Sequence, residues 1–297
     1  MMSARLLPAI IALLMMSGCA TRAPLPASPS DVAVDPVVDP IEAVAAASSV
    51  LSPSEPTAID LERIALLRRN ARSAENQRDW QTALTCHAQI VAELPGDLEA
   101  LIGLAENYRR LQRRLEAELT WHAAQAIDAR DDRVVHGYVA FLISAGRAQE
   151  ALEVIAPMVM AAGLAGTAEL GERTYALAGA AYDRLGDHAA AERVYRRGLR
   201  GHPDSVSLRN NLAFGLILQG RPHYAAVLLM DMEKAGLGGS RQRQNLALAW
   251  ALAGRTDRAS EVAGRDQDVA TLQTNLNYFA WLRGLDREPR RLALLGL

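Results

Sequence analysis

Alanine recurs along this chain at a nearly fixed spacing, at Ala83, Ala117, Ala151, Ala191, Ala225 and Ala259. The intervals are 34, 34, 40, 34 and 34 residues. A period of this length is typical of a helical hairpin that cannot bury its apolar face alone and therefore packs on copies of itself. The spacing predicts an all-α chain of stacked hairpins, an architecture that usually binds other molecules and seldom catalyses.

Other residues keep the same register. If each alanine is numbered 20 within its unit, position 15 of the last four units is Gly146, Gly186, Gly220 and Gly254. The fourth unit is the most complete, with Gly179, Tyr182, Gly186, Ala191, Tyr195 and Pro203 in phase. Small residues at positions 8 and 20 let helices approach closely, glycine at 15 permits positive φ at the end of the first helix, and proline stops the second.

This pattern resembles the tetratricopeptide repeat. The resemblance implies a right-handed α-solenoid of about six units, at 64–97, 98–131, 132–165, 172–205, 206–239 and 240–273. An apolar helix pattern at 274–285 predicts a terminal cap without a partner helix. The 40-residue interval places six extra residues at 161–166, which form either a tolerated loop insertion or a hinge.

The first 57 residues predict the cellular location of the protein. Residues 1–18 have a basic start, an apolar run and small residues, as in a secretory signal peptide. The sequence Met16-Ser17-Gly18-Cys19 resembles a bacterial lipobox, which implies lipidation of Cys19, and Ala20 after it implies transport to the outer membrane. The proline-rich stretch 19–57 predicts a disordered tether. We therefore divide the chain into 1–18, 19–57, a solenoid at 58–285 and a C-terminal tail at 286–297.

Composition excludes several classes of function. The net charge is -2, which gives no field to attract nucleic acid. No two histidines have the spacing of four that would place two metal ligands on one helix face. The chain has no glycine-rich phosphate loop and no Gly-x-Ser-x-Gly elbow. We expect no catalytic residue, metal, cofactor or small-molecule substrate, and hence no enzyme.

Function is then expected on the groove that the first helices line, which in the resembled family is formed largely by positions 2, 5, 9 and 12. These positions carry charges of mixed sign in the first two units, and amides with apolar residues in the last two. We predict that the latter half holds an extended or helical segment of a partner protein through Asn210, Asn211, Phe214, Gln244, Asn245, Asn275 and Tyr278. The alternative is that Asn211 and Asn245 support the repeat and Phe214 only packs.

Three blocks in this half, 211–213, 244–255 and 274–278, resemble the TadD family of repeat-bearing lipoproteins in tight-adherence (Flp) pilus assembly. The resemblance implies a lipid-anchored scaffold on the periplasmic face of the outer membrane, with other pilus or secretion assembly proteins, a secretin or an inner-membrane platform, as partners. Two alternatives remain open: a pilotin or assembly lipoprotein of another envelope system, and an adaptor for peptidoglycan enzymes.

Overall fold

The computed structural model describes residues 58–164 and 170–296, and all regular secondary structure in this part of the chain is helical. The predicted signal peptide, Cys19 and the tether lie outside the described residues. The described residues fall into two compact units, 58–155 and 156–296, and the boundary between them lies within one helix.

The first unit contains the first two hairpins and begins the third. Its helices are α1 (Ala58–Asn76), α2 (Trp80–Glu93), α3 (Leu98–Arg110), α4 (Arg114–Asp128), α5 (Asp132–Ser144) and the start of α6 (Ala148–Leu164). Helices α1 to α4 each pack on the next, and α3 also packs on α5, the first helix of the following hairpin. Helices α3 and α5 begin at the predicted unit starts, 98 and 132, whereas α1 begins at Ala58, before the predicted 64.

The second unit continues the pattern. Its helices after α6 are α7 (Glu172–Leu185), α8 (His188–Gly201), α9 (Val206–Leu218), α10 (Pro222–Lys234), α11 (Ser240–Leu252), α12 (Thr256–Ala263), α13 (Val269–Gly284) and α14 (Arg287–Leu295). The first helices of successive hairpins pack side by side, α7 on α9 and α9 on α11, and α11 packs on α13.

The alanine ladder marks the tightest packing in both units. All six ladder alanines have no exposed surface. Large residues of the second helices fill notches made by glycines of the first helices: a Cβ at Gly137 would overlap the indole of Trp121, and one at Gly179 would overlap the ring of Tyr195. The predicted steric role of the small residues is confirmed, since a larger side chain there would force the helices apart.

The glycines at position 15 all have positive φ, between 75° and 83°. The same position of the first two units is Arg78 and Gln112, and both take the same left-handed backbone, with φ of 61° and 62°. At Gln112 the turn is closed as at Gly186, because the next amide in each case donates to the carbonyl five residues back. Register alone therefore dictates this conformation, even where the side chain disfavours it.

Two regions differ from the sequence predictions. Helix α6 continues to Leu164, so most of the predicted insertion is helical, while 165 and 166 lie outside the described residues. At the C-terminus the cap begins earlier than predicted, at Val269, and the expected tail contains a further helix, α14. Leu294 and Leu295 of α14 are 9% and 8% exposed, so burial of this leucine pair holds the helix against the unit.

Substituting glycine for Gln112 should stabilise the chain by roughly 0.5 to 1 kcal/mol, because relief of left-handed backbone strain exceeds the entropy cost of glycine in the unfolded state. Urea unfolding followed by far-ultraviolet circular dichroism would measure the change. The control is Gln112→Ala, which keeps the strain and should leave stability nearly unaltered; equal stabilisation by both variants would contradict the backbone explanation.

Candidate functional site

The charges predicted on the first helices of the first unit are largely paired with one another. Arg72 donates to Glu99 of the next hairpin at 2.9 Å, Arg109 pairs with Glu106 at 2.8 Å, and Arg68 contacts Glu99 as well. Mutually paired surface charges leave little net attraction for a charged partner. The second unit is the better candidate for binding.

In the second unit, α7, α9, α11 and α13 form a continuous layer, which we call the A-helix surface. All seven residues predicted to bind a partner lie on three of these helices: Asn210, Asn211 and Phe214 on α9, Gln244 and Asn245 on α11, Asn275 and Tyr278 on α13. The structure thus places the predicted residues in one layer, although it does not expose them equally.

Three of the seven residues are buried and four are half-buried. Asn210, Asn245 and Tyr278 are 3%, 5% and 4% exposed, whereas the remaining four keep part of their surface open. The Asn275 amide donates to Gln267 at 3.0 Å. Burial of Asn245 agrees with the alternative that this amide supports the repeat, and Asn211, Phe214 and Gln244 remain the more accessible candidates.

A cavity of about 760 Å³ opens at one end of the A-helix surface. It is bounded by the first turns of α7, α9 and α11 and by the loop at 202–205, and Asn210 is the one predicted residue that lines it. Gln242 lines it too, at 1% exposure. The cavity therefore brings together two buried amides from neighbouring hairpins.

Hydrogen bonding fixes which atom of each amide lacks a partner. The Asn210 amide nitrogen donates to the Val206 carbonyl at 3.0 Å, and that of Gln242 donates to the Leu229 carbonyl at 2.6 Å. Both side-chain carbonyl oxygens are buried without a hydrogen-bond partner. Because an unsatisfied buried acceptor is costly, either oxygen would gain from an N–H donor that reached it, such as that of a peptide backbone.

Helix α14 covers another part of the A-helix surface. Arg184 at the end of α7 donates to the Leu295 carbonyl at 2.7 Å, and Arg287 donates to the Gln219 carbonyl just after α9 at 3.2 Å. The Tyr278 hydroxyl approaches the Ala293 carbonyl at 3.5 Å. The expectation that Tyr278 is open to a partner is therefore not met in this conformation, because α14 covers it.

A buried hydrogen-bond network fixes the junction of α7, α8 and α9. The Asp183 carboxylate lies 2.8 Å from His188 Nδ1 and accepts from the Tyr195 hydroxyl at 3.0 Å. Gly215 of α9 lies beside this carboxylate, and a Cβ there would be only 3.3 Å from Asp183 Oδ2, so a side chain would fit only tightly. Burial raises the pKa of Asp183 in spite of both hydrogen bonds, and it raises that of Tyr195 further above its usual value.

Sequence reasoning missed Gln242, Arg184 and helix α14. Gln242 stands at position 3 of its unit, outside the positions expected on the groove, and only the fold shows its free oxygen. The available signal for α14 was the sequence Leu-Ala-Leu-Leu at 292–295, which follows charged residues at helical spacing.

The described residues contain no cluster of histidine, cysteine or acidic side chains able to hold a metal ion. Within the same part of the chain, no helix combines the length and apolar character required to cross a bilayer.

Comparison with known proteins identifies the fold. Residues 172–214 match the family model of the tetratricopeptide repeat, which covers α7, α8 and part of α9. The match coincides with the unit whose sequence pattern is the most complete. The chain has an all-α fold of tetratricopeptide-type hairpins. No curated protein matches it significantly in sequence.

Several solved structures share this fold at low sequence identity. PilW, described as a widely conserved type IV pilus biogenesis factor, is 16% identical with a TM-score of 0.59, over 75% of this chain and 99% of PilW. A tetratricopeptide repeat protein of Parabacteroides merdae is 12% identical with a TM-score of 0.62, over 73% and 84%. Pseudomonas aeruginosa PilF is 16% identical with a TM-score of 0.54, over 73% and 96%.

Removing the buried carboxylate should destabilise the second unit. We expect Asp183→Ala to cost about 3 kcal/mol, because the Tyr195 hydroxyl and His188 Nδ1 lose their partner in the interior. Asp183→Asn keeps an oxygen acceptor and should cost about 1 kcal/mol. Urea unfolding measures both, with Asp231→Ala as the control since that carboxylate is 64% exposed. Equal costs for the three variants would contradict the network.

Proposed function

We propose that this protein is a lipid-anchored scaffold on the periplasmic face of the bacterial outer membrane, where it binds partner proteins during assembly of a tight-adherence (Flp, type IV-like) pilus. The observation that carries the proposal is the A-helix surface of the second unit, with its cavity and two free buried acceptors. Such a surface suits a peptide segment better than a small metabolite.

The proposed role is binding without catalysis. Each unit is a stack of hairpins, and most of the residues predicted to bind a partner on the A-helix surface are amides, which exchange hydrogen bonds with a peptide backbone without activating a nucleophile. The buried Asp183, His188 and Tyr195 form a triad of titratable groups, but they bond to one another between packed helices. We therefore assign them to positioning α7 against α8.

The sequence at the N-terminus supports the proposed location. A lipidated Cys19 would anchor the chain with several acyl chains, which bind a bilayer far more firmly than one. A flexible tether of about 37 residues would then let the repeats reach roughly 30 to 40 Å from the lipid surface. Partners embedded in the membrane or standing above it would both lie within reach.

The fold comparison supports a pilus system among the alternatives. PilW is described as a type IV pilus biogenesis factor. A pilotin or assembly lipoprotein of another pilus or secretion system is the second candidate, since it would use the same hairpins and anchor. An adaptor for peptidoglycan enzymes lacks a supporting observation of this kind.

The cavity should contact the partner in cells. A photo-crosslinking residue in place of Arg241, which is exposed and lines the cavity, should give a covalent adduct in the native envelope. The same residue in place of Val227, 57% exposed on α10, is the matched control and should give none. Mass spectrometry of the adduct should identify a pilus secretin or its inner-membrane platform. Adducts that contain only peptidoglycan enzymes would reject the pilus assignment.

Lipidation should determine the location of the chain. We expect Cys19→Ser to abolish incorporation of labelled palmitate and to move the protein from the outer-membrane fraction to the soluble periplasmic fraction, because the acyl anchor is lost. Density-gradient fractionation with immunoblotting measures the shift, and Ser17→Ala serves as a control that keeps a small residue before the cysteine. An unchanged distribution of Cys19→Ser would refute the anchor.

A further inference from the structure

Helix α14 lies on the surface that the proposed function assigns to a partner. It contacts Arg184 in the last turn of α7, Gln219 after α9, and Tyr278 on α13. A Cβ added at Gly186, just after α7, would lie in ordinary contact with the guanidinium of Arg291. One short helix thus touches three elements of the A-helix surface, and we call the surface under it the α14 seat.

The attachment of α14 combines a buried leucine pair with hydrogen bonds to main-chain carbonyls, given and received. The first three residues, Arg287, Glu288 and Pro289, are exposed, and the deeply buried part is the leucine pair at 294 and 295. The hydrogen bonds from Arg184 and Tyr278 end on main-chain carbonyls of α14. Any helix with two large aliphatic residues in its last turn can offer these carbonyls and leucine contacts. The bonds that are specific to α14 are those of Arg287 to the Gln219 carbonyl and of Arg290 to main-chain carbonyls at the end of α13 and just after it.

Two polar side chains near the seat, Arg184 and His188, do not receive a charged hydrogen-bond partner from α14. Burial lowers the pKa of the Arg184 guanidinium, and within the described residues its hydrogen bond goes to a neutral carbonyl while no carboxylate pairs with it. His188 Nε2 is buried without a hydrogen-bond partner. The acid that α14 brings near His188, Glu288, accepts hydrogen bonds from Arg291 of its own helix instead.

We infer that α14 is a displaceable occupant, and that its seat binds a short amphipathic helix of a partner protein, with two adjacent large aliphatic residues followed by a carboxylate. This inference rests on the proposed scaffold function and names the chemistry of the partner segment. A carboxylate at the end of the helix would give Arg184 the charge-assisted, bidentate bond that a carbonyl cannot provide.

The short connection between α13 and α14 favours α14 over a partner helix in competition for the seat. Only Leu285 and Asp286 separate the two helices, so α14 is held near its seat at an effective concentration on the order of millimolar. A partner helix displaces α14 when its carboxylate bonds to Arg184 in addition to the leucine contacts. It also does so when the partner binds the cavity at the same time, because this second contact raises the local concentration of the partner helix.

The test uses the chain without its signal peptide and lipidated cysteine, residues 20–297, and a version truncated after Leu285. The probe is a fluorescent synthetic peptide of residues 286–297 with an amidated C-terminus, followed by anisotropy. The truncated chain should bind it at least tenfold more tightly than the full chain, whose seat is occupied. A peptide with Leu294→Asp is the matched control and should not bind, because the aspartate cannot enter the apolar contact.

The carboxylate is tested by a second peptide with Gly296→Glu. We expect it to bind the truncated chain roughly three- to tenfold more tightly than the unaltered peptide, as charge-assisted bonds exceed neutral ones. This gain should disappear in the truncated chain with Arg184→Gln. A gain that persists without Arg184 would overturn the assignment of the carboxylate, and so would the absence of any gain.

Unfolding of the truncated chain tests whether the fold depends on α14. Cooperative urea unfolding close to that of the full chain supports a displaceable helix, whereas loss of the cooperative transition makes α14 an integral part of the fold and overturns the inference. In the full chain, amides of α14 should exchange with deuterium well before those of α9 and α11. Equal protection of α14 and the A-helix surface would likewise overturn it.

The experiments also distinguish binding of a second copy of the chain from binding of a partner, and failure of this inference from failure of the scaffold proposal. If the full chain forms a dimer that added peptide dissociates, the seat takes α14 of a second copy and the assignment to a partner is wrong. Failure of peptide binding leaves the scaffold proposal intact, since that proposal is tested by the identity of proteins crosslinked at the cavity. Failure of crosslinking, in turn, leaves the peptide measurement unaffected.

Discussion

The rest of the structure depends on the close approach of helices at the ladder alanines and the glycine notches. The six alanines are fully buried, and rings such as those of Trp121 and Tyr195 occupy space that a methyl group on the facing glycine would take. This contact sets the spacing within each hairpin and the angle at which the next one stacks. The layer of first helices, and hence the candidate site, follows from it.

Sequence reasoning predicted the fold well because the fold is periodic. A 34-residue register predicts which residues are buried, where turns fall and which helices neighbour each other, and in both units the structure confirms the buried ladder alanines and the left-handed turns at position 15. It could not reveal α14, because a nine-residue helix has no repeat to be in phase with and is held by tertiary contacts such as that of Arg184 with Leu295. Local propensity is weak over so short a segment.

The candidate site was predicted at the level of helices and less well at the level of atoms. The repeat register correctly placed Asn210 and Tyr278 on the A-helix surface. The burial of Asn210 and the coverage of Tyr278 by α14 depend on residues distant in sequence. The free oxygens of Asn210 and Gln242 arise because each amide group donates to a nearby main-chain carbonyl. The orientation of each amide group is assigned from the hydrogen bonds around it in the fold, so it cannot be read from the sequence.

The left-handed turn at Gln112 has a consequence for how such a chain diverges over time. Its geometry is held by main-chain hydrogen bonds identical in pattern to those at Gly186, so the turn persists after its glycine is replaced, at the cost of some backbone strain. The residue pattern can therefore erode one position at a time while the hairpins stay in place. In agreement with this, hairpins recur in both described units, although the family model matches residues 172–214.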